Sequence, residues 1–237
     1  MARPHAALTP LEAPRIRTGD VFATAFHRYG GAFATLGALA FAFWAVPAVA
    51  TYILDATIDS DRAVAFSSLA LAVVAFFSYC GAVAAYVGGR LRAKLPAVIA
   101  TAVVAAPPIA ILPVLFPPAV AVIAFAFLVS PFVLAPVAVG AGDAGVRDAL
   151  TTSVPLVGRG HILRGTAIAS GVVLISVGVW VGFSLALAPV PSTPKVVINA
   201  FLWGVIAWPL AALVFRSFYG ALTGKLVVRQ GDVGPER

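Results

Sequence analysis

Charge is what this sequence has least of. Asp, Glu, Lys and Arg together supply 11% of its 237 residues, against about 25% in ordinary soluble domains. A water-soluble globule of this size needs far more charge to cover its surface, so a soluble enzyme is excluded. So is a disordered chain, which needs low hydrophobicity and high charge. Cysteine is nearly missing too. Cys80 stands alone, which excludes an internal disulfide, a disulfide-stapled secreted scaffold and a thiolate metal cluster. What is abundant is apolar surface: 61% of residues are hydrophobic and the mean hydropathy is +1.02. The class that remains is a polytopic membrane protein.

The few charges can be used as boundary marks. No Asp, Glu, Lys, Arg or His occurs in 29–54, 63–89, 95–142, 165–194 or 196–215, runs of 26, 27, 48, 30 and 20 residues. A helix rises about 1.5 Å per residue, so about 20 apolar residues cross a hydrocarbon core of about 30 Å. Four runs hold one crossing each and the longest holds two. Phe116-Pro117-Pro118 lies near the middle of that run. Two successive prolines remove two backbone donors and restrict the residue before them, which predicts a hairpin there. The expected spans are about 32–54, 63–88, 95–115, 119–139, 165–188 and 196–216. They form one domain over 18–225, after a flexible basic segment at 1–17 and before a cytoplasmic tail at 226–237. Ala48-Val49-Ala50 imitates a signal-peptidase site. About thirty residues precede its apolar stretch, too many for the leading region of a signal peptide, so the segment is expected to stay.

Six crossings put both termini on one side. Of the 16 Lys and Arg, all but Arg62 and Lys195 fall on that side, while Asp55, Asp59 and Asp61 join those two on the other. The positive-inside rule then makes both termini cytoplasmic, in a bacterial plasma membrane. Tyr29, Tyr86 and Tyr219 fall at cytoplasmic span ends and Tyr52 near an outer one, where an apolar ring with a wet hydroxyl is favoured. Topology and anionic lipid account for the net charge of +7, with no need of nucleic acid.

Two stretches precede spans as amphipathic lead-ins. In the first, Asp20 is a plausible N-cap, and Phe22, Phe26, Tyr29 and Phe33 share one helical face. This helix is expected to lie along the membrane surface before the chain turns into the bilayer. The second runs from Gly142 to His161, with Val146, Leu150, Val154 and Val157 on one face and Pro155 marking a kink or break. The expected fold is therefore all-α: a polytopic bundle of six transmembrane helices plus two cytoplasmic interfacial amphipathic helices.

Four places carry a family resemblance. They are Arg17-Thr18-Gly19-Asp20-Val21-Phe22 with Ala25 to Tyr29; Pro131 to Pro136; Ala149 to Ser153 with Leu156 to Gly160; and Pro209-Leu210 with Phe218-Tyr219-Gly220. On these the chain resembles bacterial six-helix proteins grouped with the membrane domain of glycerophosphoryl diester phosphodiesterases. Val137 to Gly140 stands where that family often has an acidic residue, and Pro155 where it often has an aromatic one. The resemblance implies a six-span integral membrane protein. It does not imply phosphodiesterase activity, which belongs to a separate soluble domain in fusion members.

The chemistry-bearing residues are sparse. His5, His27 and His161 are too scattered for a zinc site, and no H-E-x-x-H or phosphate-binding loop occurs. Ser67, Ser68, Ser78 and Ser130 have no His or Asp near them in sequence, as nucleophilic catalysis requires. Coupled transport usually leaves a charge inside a span; none is present. No catalytic residue, metal or cofactor is expected. Arg28, Arg159 and Arg164 are candidates for a lipid head group or a partner protein. Ser130, Pro131, Pro136 and Asn199 are candidate polar or kink positions within the membrane. Stripes of small residues at Gly30/Ala34/Ala38/Ala42, Gly81/Ala85/Gly89 and Gly178/Gly182/Ala186 suit close helix packing, expected within the monomer. Three functions follow. The first is a non-enzymatic scaffold or accessory subunit that meets lipids and other membrane proteins. The second is a permease for a small neutral or amphiphilic molecule through the proline-broken spans. The third is an anionic-lipid-binding protein. Oligomeric state is left open.

Overall fold

A computed structural model describes residues 17–158, 160–189 and 192–224, and all their regular structure is helical. The elements are α1 Thr18–Thr57, α2 Asp61–Val87, α3 Leu91–Ala105, α4 Pro107–Ala110, α5 Leu112–Leu115, α6 Pro118–Ala141, α7 Val146–Gly158, α8 Ile162–Ala186 and α9 Ser192–Leu222. Five helices are long and apolar enough to cross a membrane: α1, α2, α6, α8 and α9. Their ends follow local chemistry. Ser60 starts α2 by accepting a hydrogen bond from the Ala63 amide at 3.4 Å. Gly142, at φ +79°, closes α6 in the left-handed conformation that glycine adopts without strain.

Three expectations change. The lead-in at the start of the chain is not a separate surface helix, because α1 runs unbroken for 40 residues from Thr18 through the first expected span. Nothing between Tyr29 and Phe33 breaks a helix, so the aromatic face and the span share one axis. The third expected span, 95–115, is divided into α3, α4 and α5. Pro107, Pro108 and Pro113 cannot donate to the carbonyls four residues back, and the hydrogen-bond ladder is interrupted twice. Ala106 and Ile111 keep right-handed helical backbone angles across the interruptions. In the second lead-in, α7 continues through Pro155 without a break. Its buried residues are Ala149, Ser153 and Val157, while the expected Val154 is exposed. The one-in-four row of small side chains turns inward because α7 lies along α6 and needs close approach.

Burial is uneven along the bundle. Every residue from Phe77 to Ala85 in α2, from Val133 to Gly140 in α6 and from Ala207 to Phe215 in α9 is buried. In α2 before Ala75, only Val64 is buried; in α8, nothing after Val172 is. One end of the bundle is thus the more closely packed, and it carries Arg90, Gly142 and Leu222. The other, carrying Ser60 and Leu187, is parted. At the packed end α2 and α6 meet most closely. A side chain on Gly81 would come within 2.7 Å of the Pro136 carbonyl oxygen, and one on Gly140 would overlap the Gly81 carbonyl. Tyr79, fully buried, donates its hydroxyl proton to the Leu36 carbonyl at 3.0 Å and ties α2 to α1. Of the three small-residue stripes, only Gly81/Ala85 is used this way: Gly30, Gly178 and Gly182 face open space.

Candidate functional site

The parting of the helices leaves a chamber of about 820 Å³. Five helices wall it: α1, α2, α6, α8 and α9. Alpha-helical neighbours meet around it in the order α8, α9, α1, α2, whereas α2 and α8 both line it without packing on each other. Small side chains make the volume. Ala48, Ala72, Ala169 and Ala211 stand on four different walls where larger apolar residues would fill the space. Pro47, buried inside α1, adds a wall that cannot offer a backbone N–H.

All four tryptophans of the chain, Trp44, Trp180, Trp203 and Trp208, line this chamber. They are arranged edge to face. Trp203 lies 6.3 Å from Trp180 and 6.3 Å from Trp208, at 83° and 76°. Phe76 lies 5.5 Å from Trp208 at 68°. Such pairs each add roughly 0.5–1.5 kcal/mol beyond burial, so the aromatic wall is stiff. Trp203 fixes its own ring by donating Nε1–H to the Ser176 carbonyl at 3.1 Å. Among the described residues no Asp, Glu, Lys, Arg or His lines the chamber, and its polar side chains are Thr51, Ser68 and Ser176. The Ser68 hydroxyl is buried and has no hydrogen-bond partner. The chamber can bind an apolar body and offer it the hydroxyls of Thr51, Ser68 and Ser176.

The residues singled out in the sequence lie elsewhere. Ser130, fully buried, donates its hydroxyl to the Gly165 carbonyl at 2.8 Å and joins α6 to α8. Pro131 and Pro136 are buried inside an unbroken α6. The Asn199 side chain donates to Ser184 Oγ at 2.6 Å and to the Trp180 carbonyl at 3.2 Å, pinning α9 to α8 just beyond the chamber; its own Oδ1 is unpartnered. Arg28 stands in electrostatic reach of Arg216, which in turn faces Asp143 and Tyr219. Arg164 donates to Nδ1 of His161 at 3.1 Å. Arginine has no acceptor, so Nδ1 must carry the lone pair and the imidazole must be neutral. Burial, then the Arg164 charge, lowers the His161 pKa below its ordinary value and favours that form. Arg159 lies outside the described residues. Among those described, no three His, Cys, Asp or Glu are placed to hold a metal ion. The chamber draws no residue from α3, α4 or α5, the proline-broken stretch.

The tryptophans have no role among the sequence expectations, and Ser68 figures there only as a nucleophile without a base. A signal was there. Tryptophan in membrane proteins favours the two interfaces, yet all four of these fall inside charge-free runs. Near the packed end, a smaller hollow of about 280 Å³ is lined by Asp143, Asp148, Thr152, Ser153 and Tyr219 among others. It is separate from the chamber and shares no lining residue with it. Comparison of the chain with protein-family models, with curated proteins and with solved structures finds no match.

Proposed function

We propose that the chain is a non-enzymatic protein of the bacterial cytoplasmic membrane that holds the apolar body of a membrane-derived amphiphile in its aromatic chamber. In this reading it crosses six times, with α3, α4 and α5 together making the third crossing, and both termini are cytoplasmic. Most of the Lys and Arg among the described residues belong to the packed end, which the positive-inside rule puts inside. The parted end and the chamber mouth then belong to the outer half of the bilayer. The resemblance to the six-helix family grouped with the phosphodiesterase membrane domain supports the same crossing number.

The observation that carries this reading is unfilled volume. Protein interiors pack at crystal-like density with few voids larger than a water molecule. A bundle serving purely as a scaffold has no use for about 820 Å³ of open aromatic space. That volume lies within the range of about 300–1,000 Å³ typical of ligand pockets. Ala72→Phe with Ala169→Phe closes the chamber from two walls. Native mass spectrometry of the wild-type protein released from membranes is expected to show a bound species of discrete mass, absent from the double variant. A wild-type chain that emerges bare, or identical adducts on both proteins, would refute the proposal.

A further inference from the structure

We infer that the occupant of the chamber has an uncharged, hydrogen-bonding head and lies with its tail toward the packed end. This rests on the chamber being a binding site. The polar side chains of the lining, Thr51, Ser68 and Ser176, all belong to the parted half of their helices. The opposite end of the lining is made by Phe77, Val129, Ala169, Ala211 and Phe215, all of them buried and apolar. A long apolar tail fits against the second group while a head meets the first.

The head's charge follows from what surrounds it. An ionised group moved from water into an apolar site costs far more than a hydroxyl unless a counter-charge meets it there. Among the described residues the lining offers none. Arg216 follows Phe215 in the chain, but it lies in electrostatic reach of Arg28 and Asp143, and it does not line the chamber. The Ser68 hydroxyl has no partner in the folded protein. Turned toward the chamber, it can donate to a head-group oxygen or accept from a head-group O–H, beside the hydroxyls of Thr51 and Ser176. The class so defined is a neutral long-chain alcohol, acylglycerol or quinone, as distinct from a fatty acid or a phospholipid.

Trp208 is 5% exposed and lies inside the chamber, so its fluorescence reports entry. The test uses the variant W44F/W180F/W203F, in nanodiscs, titrated with three probes of one brominated chain: the alcohol, the carboxylate and the alkane. The alcohol is expected to quench Trp208 at a concentration at least about tenfold below the carboxylate. Adding Ser68→Ala should weaken the alcohol by about five- to tenfold, as loss of one hydrogen bond does, and leave the alkane unchanged. Equal quenching by alcohol and carboxylate overturns the neutral-head inference and leaves the chamber reading standing. Quenching by none of the three overturns the chamber reading itself. Native mass spectrometry of the unmodified chain with the same probes gives the same ranking without the tryptophan replacements, and the opposite ranking there also overturns the inference.

Discussion

Gly140 is where two helices come closest, and its missing side chain is a condition of the packed end. A methyl group there would overlap the Gly81 carbonyl of α2. Backbone cannot swing aside as a flexible side chain can, so α2 and α6 must separate. Gly140→Ala is expected to cost about 2–3 kcal/mol, read as a lower midpoint in a thermal scan in detergent. Gly178→Ala meets nothing within 4 Å and should stay within about 0.5 kcal/mol of wild type. Equal effects would show that the α2–α6 approach is not as close as described. At His161 the sign of a pH effect can be worked out. Burial and Arg164 lower its folded pKa below the ordinary value of about 6.5. Above that value both folded and unfolded imidazoles are neutral and stability is flat. Below it the unfolded form binds the proton first, so stability falls as pH drops from about 6.5 toward the lowered folded value. His161→Gln should remove that part of the pH dependence of the thermal midpoint.

Helices were legible where their cause was local. The expected spans 63–88, 119–139 and 165–188 correspond to Asp61–Val87, Pro118–Ala141 and Ile162–Ala186, because lack of charge and the position of glycine and proline are properties of the stretch itself. Proline was the less certain guide. At Pro107, Pro108 and Pro113 it divided a span; at Pro131, Pro136 and Pro155 the helix continued. The difference is support. α6 is held on both sides by α2 and α7, and α7 is held by α6, so neighbouring helices keep the chain helical through a missing donor. Pro155 itself is exposed, so the proline ring adds no burial of its own to α7. Pro155→Ala should therefore stabilise the protein by about 1–3 kcal/mol, seen as a raised thermal midpoint. A lowered midpoint would mean that the proline shapes α7 in a way its packing does not show.

The chamber was not legible, because in a membrane protein hydropathy does not separate inside from outside. Leu174 is 71% exposed and Leu213 is 1% exposed, yet the two are the same residue in equally apolar runs. Which faces meet is a property of the assembled bundle, and so is the gap left where they do not. The crossing number can be checked directly. The chain's one thiol, Cys80, is buried, so single cysteines placed at Ser60, Phe116 and Ala188 can be labelled without background. In intact cells all three should react with a membrane-impermeant maleimide, while Gly89→Cys and Gly145→Cys should react only after permeabilisation. An unreactive Phe116→Cys would remove the third and fourth crossings together and leave four. The unbroken α1 has a mechanical meaning too. At 40 residues it is about 60 Å long, roughly twice the thickness of the hydrocarbon core. Its foot, at Phe22, rests against Gly171 of α8, and its upper half supplies Trp44 and Pro47 to the chamber. The helix thus joins the two ends of the bundle, and a displacement of its foot would be carried along one rigid axis to a wall of the chamber.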